Sequence, residues 1–574
     1  MADLTPISSW TVADVQHFAR RAGFGVTPER AAELAALPPG ATIDGWIDGT
    51  VSAEVAAAGD AALFSAVLGN RADPMAVGAV DANSNDAGAV NVAKVAPPHA
   101  YLVNGSESWR NDLPTGQSEW AFRMQYSPSS FPERMALFWH NLFATGWHKV
   151  DNIALMLNQI DLFRTQGAGP FADLLVAVSK DPAMALWLDS VSNNASYTSV
   201  PNENYAREVM ELYSLGVDNG YSQSDITQLA RALSGWSFVI PSAAKVQNPA
   251  SPSQWKASSA TFTVYQGQAI GSGNLLWWGG VSTSGKVYYM HPDGTHSGET
   301  TSISFLGSSF SITTGSGGQA PGENALRSIL MSRAANAADF LAKRLLLHFV
   351  SSAYQAVDAS DLSALLQGNG FDLKATLKTL LKSKYFFDPV NRFSLVEGPV
   401  SWTVRAARAL GMDLATGDAA SPKGFPAWRL VTNPFFDQAG MRLLDPNGPN
   451  GWKEDVGWLN SNTMRYRTRL AAALALAEST DTYYNNGGGS YVKETLILFP
   501  SNVDQWFPAA PASGLDVFNR LVDLLQPAPI PTSVRDGWIA ALWPSAFAWS
   551  TAADKNKARE LAYLILCCPS GQLY

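Results

Sequence analysis

The densest run of residues able to do chemistry is Pro201-Asn-Glu-Asn-Tyr-Ala-Arg-Glu-Val-Met-Glu-Leu-Tyr-Ser-Leu-Gly216. Proline is tolerated in a first helical turn, and a helix beginning there sets Asn204, Glu208 and Glu211 along one face while Val209 and Leu212 point elsewhere. Arg207 lies four residues after Glu203 and four before Glu211, a spacing that permits an ion pair on either side. Glu208 and Glu211 are like charges one turn apart, so partial burial favours the protonated form of one of them, which is what a general acid requires. Glycosidic cleavage uses two carboxylates roughly 5 to 9.5 Å apart that flank the scissile bond, whereas one helix face approaches from one side only. A second carboxylate from another element is needed. Asp189, which ends Ala185-Leu-Trp-Leu-Asp189, is the nearest such residue in sequence, with Glu203 as the alternative. The competing expectation is a helix whose charges serve only to pin it in place.

A second group is Phe138-Trp-His-Asn-Leu-Phe143, where Trp139, His140 and Asn141 bring together a stacking ring, a titrating group and an amide suited to positioning a sugar. A core histidine is the competing reading of His140. His291 and His296 bracket a turn, and His296 is placed as a residue closing over substrate from a flap. The seven histidines form no pair four residues apart, and the two cysteines, Cys567 and Cys568, are adjacent. That pattern fits neither a helical zinc site nor a disulfide framework, so the expected chemistry uses no metal and no cofactor. A nucleophile elbow, a P-loop and a strand-anchored dinucleotide fingerprint are all missing from the sequence. Asp445-Pro-Asn-Gly-Pro-Asn-Gly-Trp452 reads as a turn rather than a calcium loop.

The elements that must position these groups read as helices. Thr11 and Thr27-Pro28 are helix starts, and apolar residues at helical spacing predict helices near 132–143, 152–165, 170–179, 182–189, 201–214 and 224–236. Between 241 and 320 the composition turns to Ser, Thr, Gly and aromatics with five charged residues, and alternation there predicts a β-rich insertion. Helices resume after Gly322 and continue to the end of the chain. The expected fold is mainly α: one large helical domain, an irregular bundle or helical toroid, formed by residues 1–240 and 321–574 and interrupted by 241–320.

The chain has 574 residues, 46% hydrophobic and 16% charged, which supplies a large core and excludes intrinsic disorder. Forty Lys and Arg against 49 Asp and Glu give a net charge of −9, unsuited to a nucleic-acid backbone. Nineteen Trp residues suit a core and also sugar platforms. The sequence contains no apolar run long enough to span a bilayer, and Met1 to Trp10 lacks the pattern of a signal peptide.

Pro201-Asn-Glu-Asn-Tyr-Ala-Arg-Glu-Val-Met-Glu-Leu212 and Ala230-Arg-Ala-Leu-Ser-Gly-Trp236 resemble the hallmark of the bacterial domain-of-unknown-function 1800 family. Arg20-Arg-Ala-Gly-Phe-Gly25, Phe138-Trp-His-Asn-Leu-Phe143, Asp181-Pro-Ala-Met184, Gly451-Trp452 with Trp458-Leu-Asn460, and Leu564 to Leu573 resemble family segments in the same order. The pattern departs at Leu142 and Tyr213, where relatives often carry histidine, and at Thr300 or Thr301, where lysine is common. The resemblance implies a largely helical, exported protein, secreted or periplasmic, frequently encoded beside a sulfatase-like partner protein. It implies no reaction. The residues themselves favour a carbohydrate-active enzyme, a glycoside hydrolase acting on a poly- or oligosaccharide. In that reading Glu208 or Glu211 is the acid, Asp189 or Glu203 the base or nucleophile, and Trp139, His140, Asn141, Arg207 and His296 hold the sugar. The alternatives are a non-catalytic extracytoplasmic glycan-binding or scaffold protein and, third, an accessory to a metal or redox enzyme.

Overall fold

Thr11 starts the first helix, Val12–Arg21, with a reciprocal cap: its hydroxyl accepts from the Asp14 N–H at 3.3 Å while the Asp14 carboxylate accepts from the Thr11 N–H at 2.7 Å. Thr27 likewise accepts from Arg30 N–H and Pro28 opens the helix Pro28–Ala35. The computed structural model describes residues 2–51, 113–150, 153–190, 193, 201–234, 302–311, 320–411, 435–476 and 503–574, with the backbone of short strands at 101–103, 106–108, 236–241, 262–264, 268–270, 289–292, 479–485 and 491–497.

The architecture is mainly α. Neighbours such as Ala334–Phe349 with Ala356–Gly368, Ser130–Leu142 with Ile153–Gln166, and Ser461–Ala475 with Ala552–Cys567 pack side by side. Their apolar faces join one continuous core that runs from Trp10 to Leu566, so residues on both sides of the 241–320 segment share it. The β-rich insertion expected there is not supported. What is described consists of short strand segments and a tight hairpin, Ser302–Phe305 with Ser308–Ser311, which sinks Ile303 and Phe305 into the helical core. Asp225, in the first turn of the helix Gln223–Ala232, anchors that hairpin by accepting from Leu306 N–H at 2.8 Å. The alternation of Ser and Ile or Phe was a strand signal, but its apolar side docks on helices instead of building a second core.

The apolar spacing of the helix Ser130–Leu142 predicts one buried face. The helix is enclosed on nearly all sides, burying Glu133, Arg134 and His140 along with Met135, Phe138, Trp139 and Leu142. Its charged residues therefore have internal partners: Glu133 receives Arg164 at 2.5 and 3.0 Å and the Trp120 indole at 3.1 Å. Arg134 donates to the Ser401 hydroxyl at 2.7 Å and the Tyr574 hydroxyl at 2.8 Å.

Around Arg134 lies a buried set of guanidiniums. Arg20, Arg21, Arg405 and Arg467 are all at most 3% exposed, and the carboxylate buried with them is Glu397. Glu397 pairs with Arg405 at 2.8 Å, and its carbonyl accepts from Arg467 at 2.6 Å. Arg467 also reaches Gln572, and Arg21 stacks over the Tyr574 ring, so the first helix, the Pro399–Ala409 helix and the last residues are tied at one point. Burial pushes Arg20 down to about 9, and neighbouring Arg405 pushes the same way. Replacing Glu397 by Ala leaves these cations without their buried counter-charge. It should destabilise the protein by about 3–5 kcal/mol, the cost of breaking a buried pair from one side. Denaturant unfolding of the folded variant reads this directly, and a loss under about 1 kcal/mol would mean that the backbone and hydroxyl acceptors suffice.

Candidate functional site

The motif helix starts at Asn204 and is α-helical only to Glu208; from Val209 to Ser214 it widens to a π-helix. Ser214 closes the wide turn by donating to Val209 carbonyl at 2.6 Å, and Leu215 and Gly216 N–H groups both reach Met210 carbonyl at 3.2 Å. Gly216 then leaves with φ of 99°, a conformation that glycine adopts without strain. Tyr205, Val209, Met210 and Tyr213 are buried, which fixes the opposite side of the helix as the polar one. The periodic pattern predicted a plain helix and carried no sign of the π-turn, a feature common beside functional sites.

The structure separates the four carboxylates of interest by their partners. Glu203 accepts from Thr227 at 2.6 Å, Gln223 at 2.7 Å and Arg207 at 3.2 Å, so it clamps the motif helix to the next one. Arg207 also pairs with Glu211 at 3.3 Å, as its spacing predicted, and so it orders carboxylates and does not reach out for a sugar. Glu208 is half-buried and makes no hydrogen bond or ion pair among the described residues. Burial raises its pKa, Glu211 adds to the rise and Arg207 opposes it.

Asp189 comes from the end of a different element, just past the helix Pro182–Trp187, with φ of 59°. Lys149 donates to its carboxylate at 2.8 Å and to Trp187 carbonyl at 2.6 Å. The Asn204 amide reaches Leu188 carbonyl at 3.1 Å and the Asp189 carboxylate at 3.5 Å. Glu208 stands one helical turn from Asn204 on the same face. Asn204 thus links Asp189 to the helix whose next turn carries Glu208.

Beside them is a pair that the sequence reading missed. His148 Nδ1 lies 2.5 Å from the buried Asp445 carboxylate, which also accepts from His148 N–H at 3.0 Å and Arg442 at 3.0 Å. The imidazole is half-exposed and meets the Trp187 ring edge-on at 5.1 Å. The partners are 297 positions apart, and the sequence around Asp445 predicts only a turn, so no local spacing joins them.

The fold closes over Trp139 and His140 of the second sequence group. Trp139 is wholly buried, its indole donates to Gly167 carbonyl at 2.7 Å and its ring stacks on Phe143 and Phe171, so it has no open face for a sugar. His140 is also fully buried, among Trp120, Phe163 and Trp452, and burial pushes its pKa down to about 3. Asn141 is half-buried, and its side-chain oxygen accepts from Trp452 N–H at 2.6 Å. His296 lies outside the described residues. Among the described residues, no three His, Cys, Asp or Glu side chains gather as a metal site, and no helix is long and apolar enough to cross a membrane.

Compared with known proteins, residues 17–573 match the family model described as protein of unknown function, DUF1800. No curated protein and no solved structure matches the chain.

The wall that carries Trp187 and Asp189 is itself set by Asp181, the cap of its helix, which accepts from Met184 N–H at 2.9 Å and Gln159 at 2.8 Å. Burial pushes this carboxyl up to about 7 despite those hydrogen bonds. A folded-state value above the unfolded one contributes stability that is full below about pH 4 and lost as pH rises through about 7. Asp181→Asn keeps a capping oxygen and removes the titration. The variant should therefore gain on the wild type by up to about 1.4 kcal/mol per pH unit between pH 4 and 7, read from paired unfolding curves. Parallel pH profiles for the two proteins would contradict the raised value.

Proposed function

The chain belongs to the DUF1800 family of proteins of unknown function, and from that premise we propose that it is a carbohydrate-active hydrolase cleaving glycosidic bonds with Glu208 and Asp189. The observation that carries the proposal is the contrast among the carboxylates. Glu203 and Glu211 are engaged by Arg207, whereas Glu208 is half-buried, raised in pKa and without a hydrogen-bond partner among the described residues. Burial and the Glu211 charge both favour its protonated form, the form from which a general acid releases a proton to a leaving oxygen.

In this reaction Glu208 gives its proton to the glycosidic oxygen as the bond from that oxygen to the anomeric carbon breaks. Asp189, ion-paired with Lys149, takes a proton from a water whose oxygen bonds to the anomeric carbon. Asn204 connects their elements, its amide reaching Asp189 while its backbone begins the turn that ends at Glu208. Trp187 and the His148–Asp445 pair border the same surface and supply a ring edge and a half-exposed imidazole for sugar hydroxyls. An extracytoplasmic setting belongs to the same proposal. A non-catalytic glycan-binding or scaffold role is the second reading, favoured by the closed Glu203–Arg207–Glu211 chain that fastens two helices.

Incubation with a panel of poly- and oligosaccharides, followed by chromatography of the products, separates the two readings, since a binding protein retains glycan without shortening it. On the substrate so found, Glu208→Gln and Asp189→Asn should each lower turnover at least about a hundredfold, the usual scale for losing a proton-transfer group. Glu203→Gln should act on stability and leave turnover within a few-fold. Full activity of a folded Glu208→Gln variant would rule out the assignment.

A further inference from the structure

Gly146-Trp-His-Lys149 and Arg442-Leu-Leu-Asp445 are laid side by side, and every tie between them fixes one imidazole. Trp147 N–H donates to Leu444 carbonyl at 2.9 Å, and His148 N–H donates to the Asp445 carboxylate at 3.0 Å. Leu444 holds φ at 61°, a conformation costly for a leucine, immediately before the carboxylate that it aims. Asp445 is buried; one of its oxygens takes His148 N–H and Nδ1, and the other takes Arg442. Gly146 is the floor under the ring. A Cβ there would lie 2.8 Å from His148 Cε1 and 2.8 Å from the Trp187 ring, so a larger residue would push the imidazole out of place.

That orientation decides what the ring can do. With Nδ1 2.5 Å from a carboxylate, the proton of a neutral imidazole is held on Nδ1 and the lone pair lies on Nε2. The side chain is 52% exposed and Nε2 has no partner among the described residues, so the pair offers a base to solvent. Among those residues no serine, threonine or cysteine side chain is hydrogen-bonded to the ring, which leaves water as the nucleophile. Lys149 reaches the same Trp187 that His148 touches. Its ammonium donates to Trp187 carbonyl at 2.6 Å and to Asp189 at 2.8 Å, two of its three N–H groups. The Asp189 carboxylate beside it penalises an anionic substrate such as a phosphodiester, whereas a carboxylic ester is neutral.

We propose that His148 is the catalytic base of a second activity, the hydrolysis of carboxylic esters, with Asp445 as its positioning residue. Nε2 takes a proton from water as the oxygen of that water bonds to the acyl carbon, and the third N–H of Lys149 meets the charge that develops on the carbonyl oxygen. The tetrahedral adduct then collapses. The bond from the acyl carbon to the alkoxy oxygen breaks, and that oxygen leaves with the proton held on Nε2. The products are a carboxylic acid and an alcohol, and water is the only co-reactant. This activity needs neither Glu208 nor a glycosidic bond, so it can fail while the glycosidase reading stands, and the reverse.

Steady-state release of 4-nitrophenolate from 4-nitrophenyl acetate by the full chain provides the test, with free imidazole at the same concentration as the reference. The wild type should turn over many equivalents. His148→Ala, at a half-exposed position, should lower kcat at least about a hundredfold and regain at least about tenfold with added imidazole, beyond the rate of imidazole alone. A merely structural histidine gives no such rescue. Asp445→Asn should lower kcat at least about tenfold with KM unchanged, because it acts through the imidazole. Gly146→Ala keeps both partners and displaces the ring, and should lose about as much. Release that stops once the protein is stoichiometrically acylated, a wild-type rate no faster than free imidazole, a full rate in any of the three variants, or no imidazole rescue would each overturn the proposal.

Discussion

The constraint on which the rest of this molecule depends is the burial of more guanidinium than carboxylate at the meeting point of its two ends. Arg20, Arg21, Arg134, Arg405 and Arg467 come from four separate helices and share Glu397 as their buried anion. The remaining donors must be satisfied by carbonyls, amides and hydroxyls, and those acceptors are supplied by Asn391, Gln526, Gln572, Ser401 and Tyr574. Each acceptor lies in a loop or at a helix end, so satisfying the cations fixes where those segments run. Apolar burial holds the helices together without choosing among packings, and this polar cluster chooses one.

The same rule, that buried charge must be spoken for, sorts the polar residues by role. Glu133, Glu203 and Glu211 have cationic partners within hydrogen-bonding or ion-pair distance and act as fasteners. Asp445 is buried against Arg442 and orients His148. Glu208 is the exception, a half-buried carboxyl without a hydrogen bond among the described residues. It is where a ligand would restore the balance.

Local order was legible in the sequence because it depends on neighbours. Thr11 and Asp14, three apart, specify a capping box, and Glu203, Arg207 and Glu211, four apart, specify an ion-pair ladder; both are present. What failed depends on distant chain. Trp139 and His140 looked like a sugar platform because adjacency says nothing of enclosure, and Gly167, Phe171 and Trp452 close over them from elsewhere. The Val209–Ser214 π-turn left no trace in the apolar spacing, since one extra residue in a turn shifts the pattern by less than a short helix can reveal. The Asp445–His148 contact and the contacts of Arg134 with Ser401 and Tyr574 join residues hundreds of positions apart, and only the fold brings them together.

The central claim is that burial and the Glu211 charge raise the pKa of Glu208. Carbon-13 NMR of protein labelled at the glutamate carboxyls follows each titration, and the Glu208 signal is identified by its loss in Glu208→Gln. The account predicts that this signal titrates clearly above the value of about 4.3 for a free glutamate side chain. A Glu208 signal titrating at or below that value would contradict it.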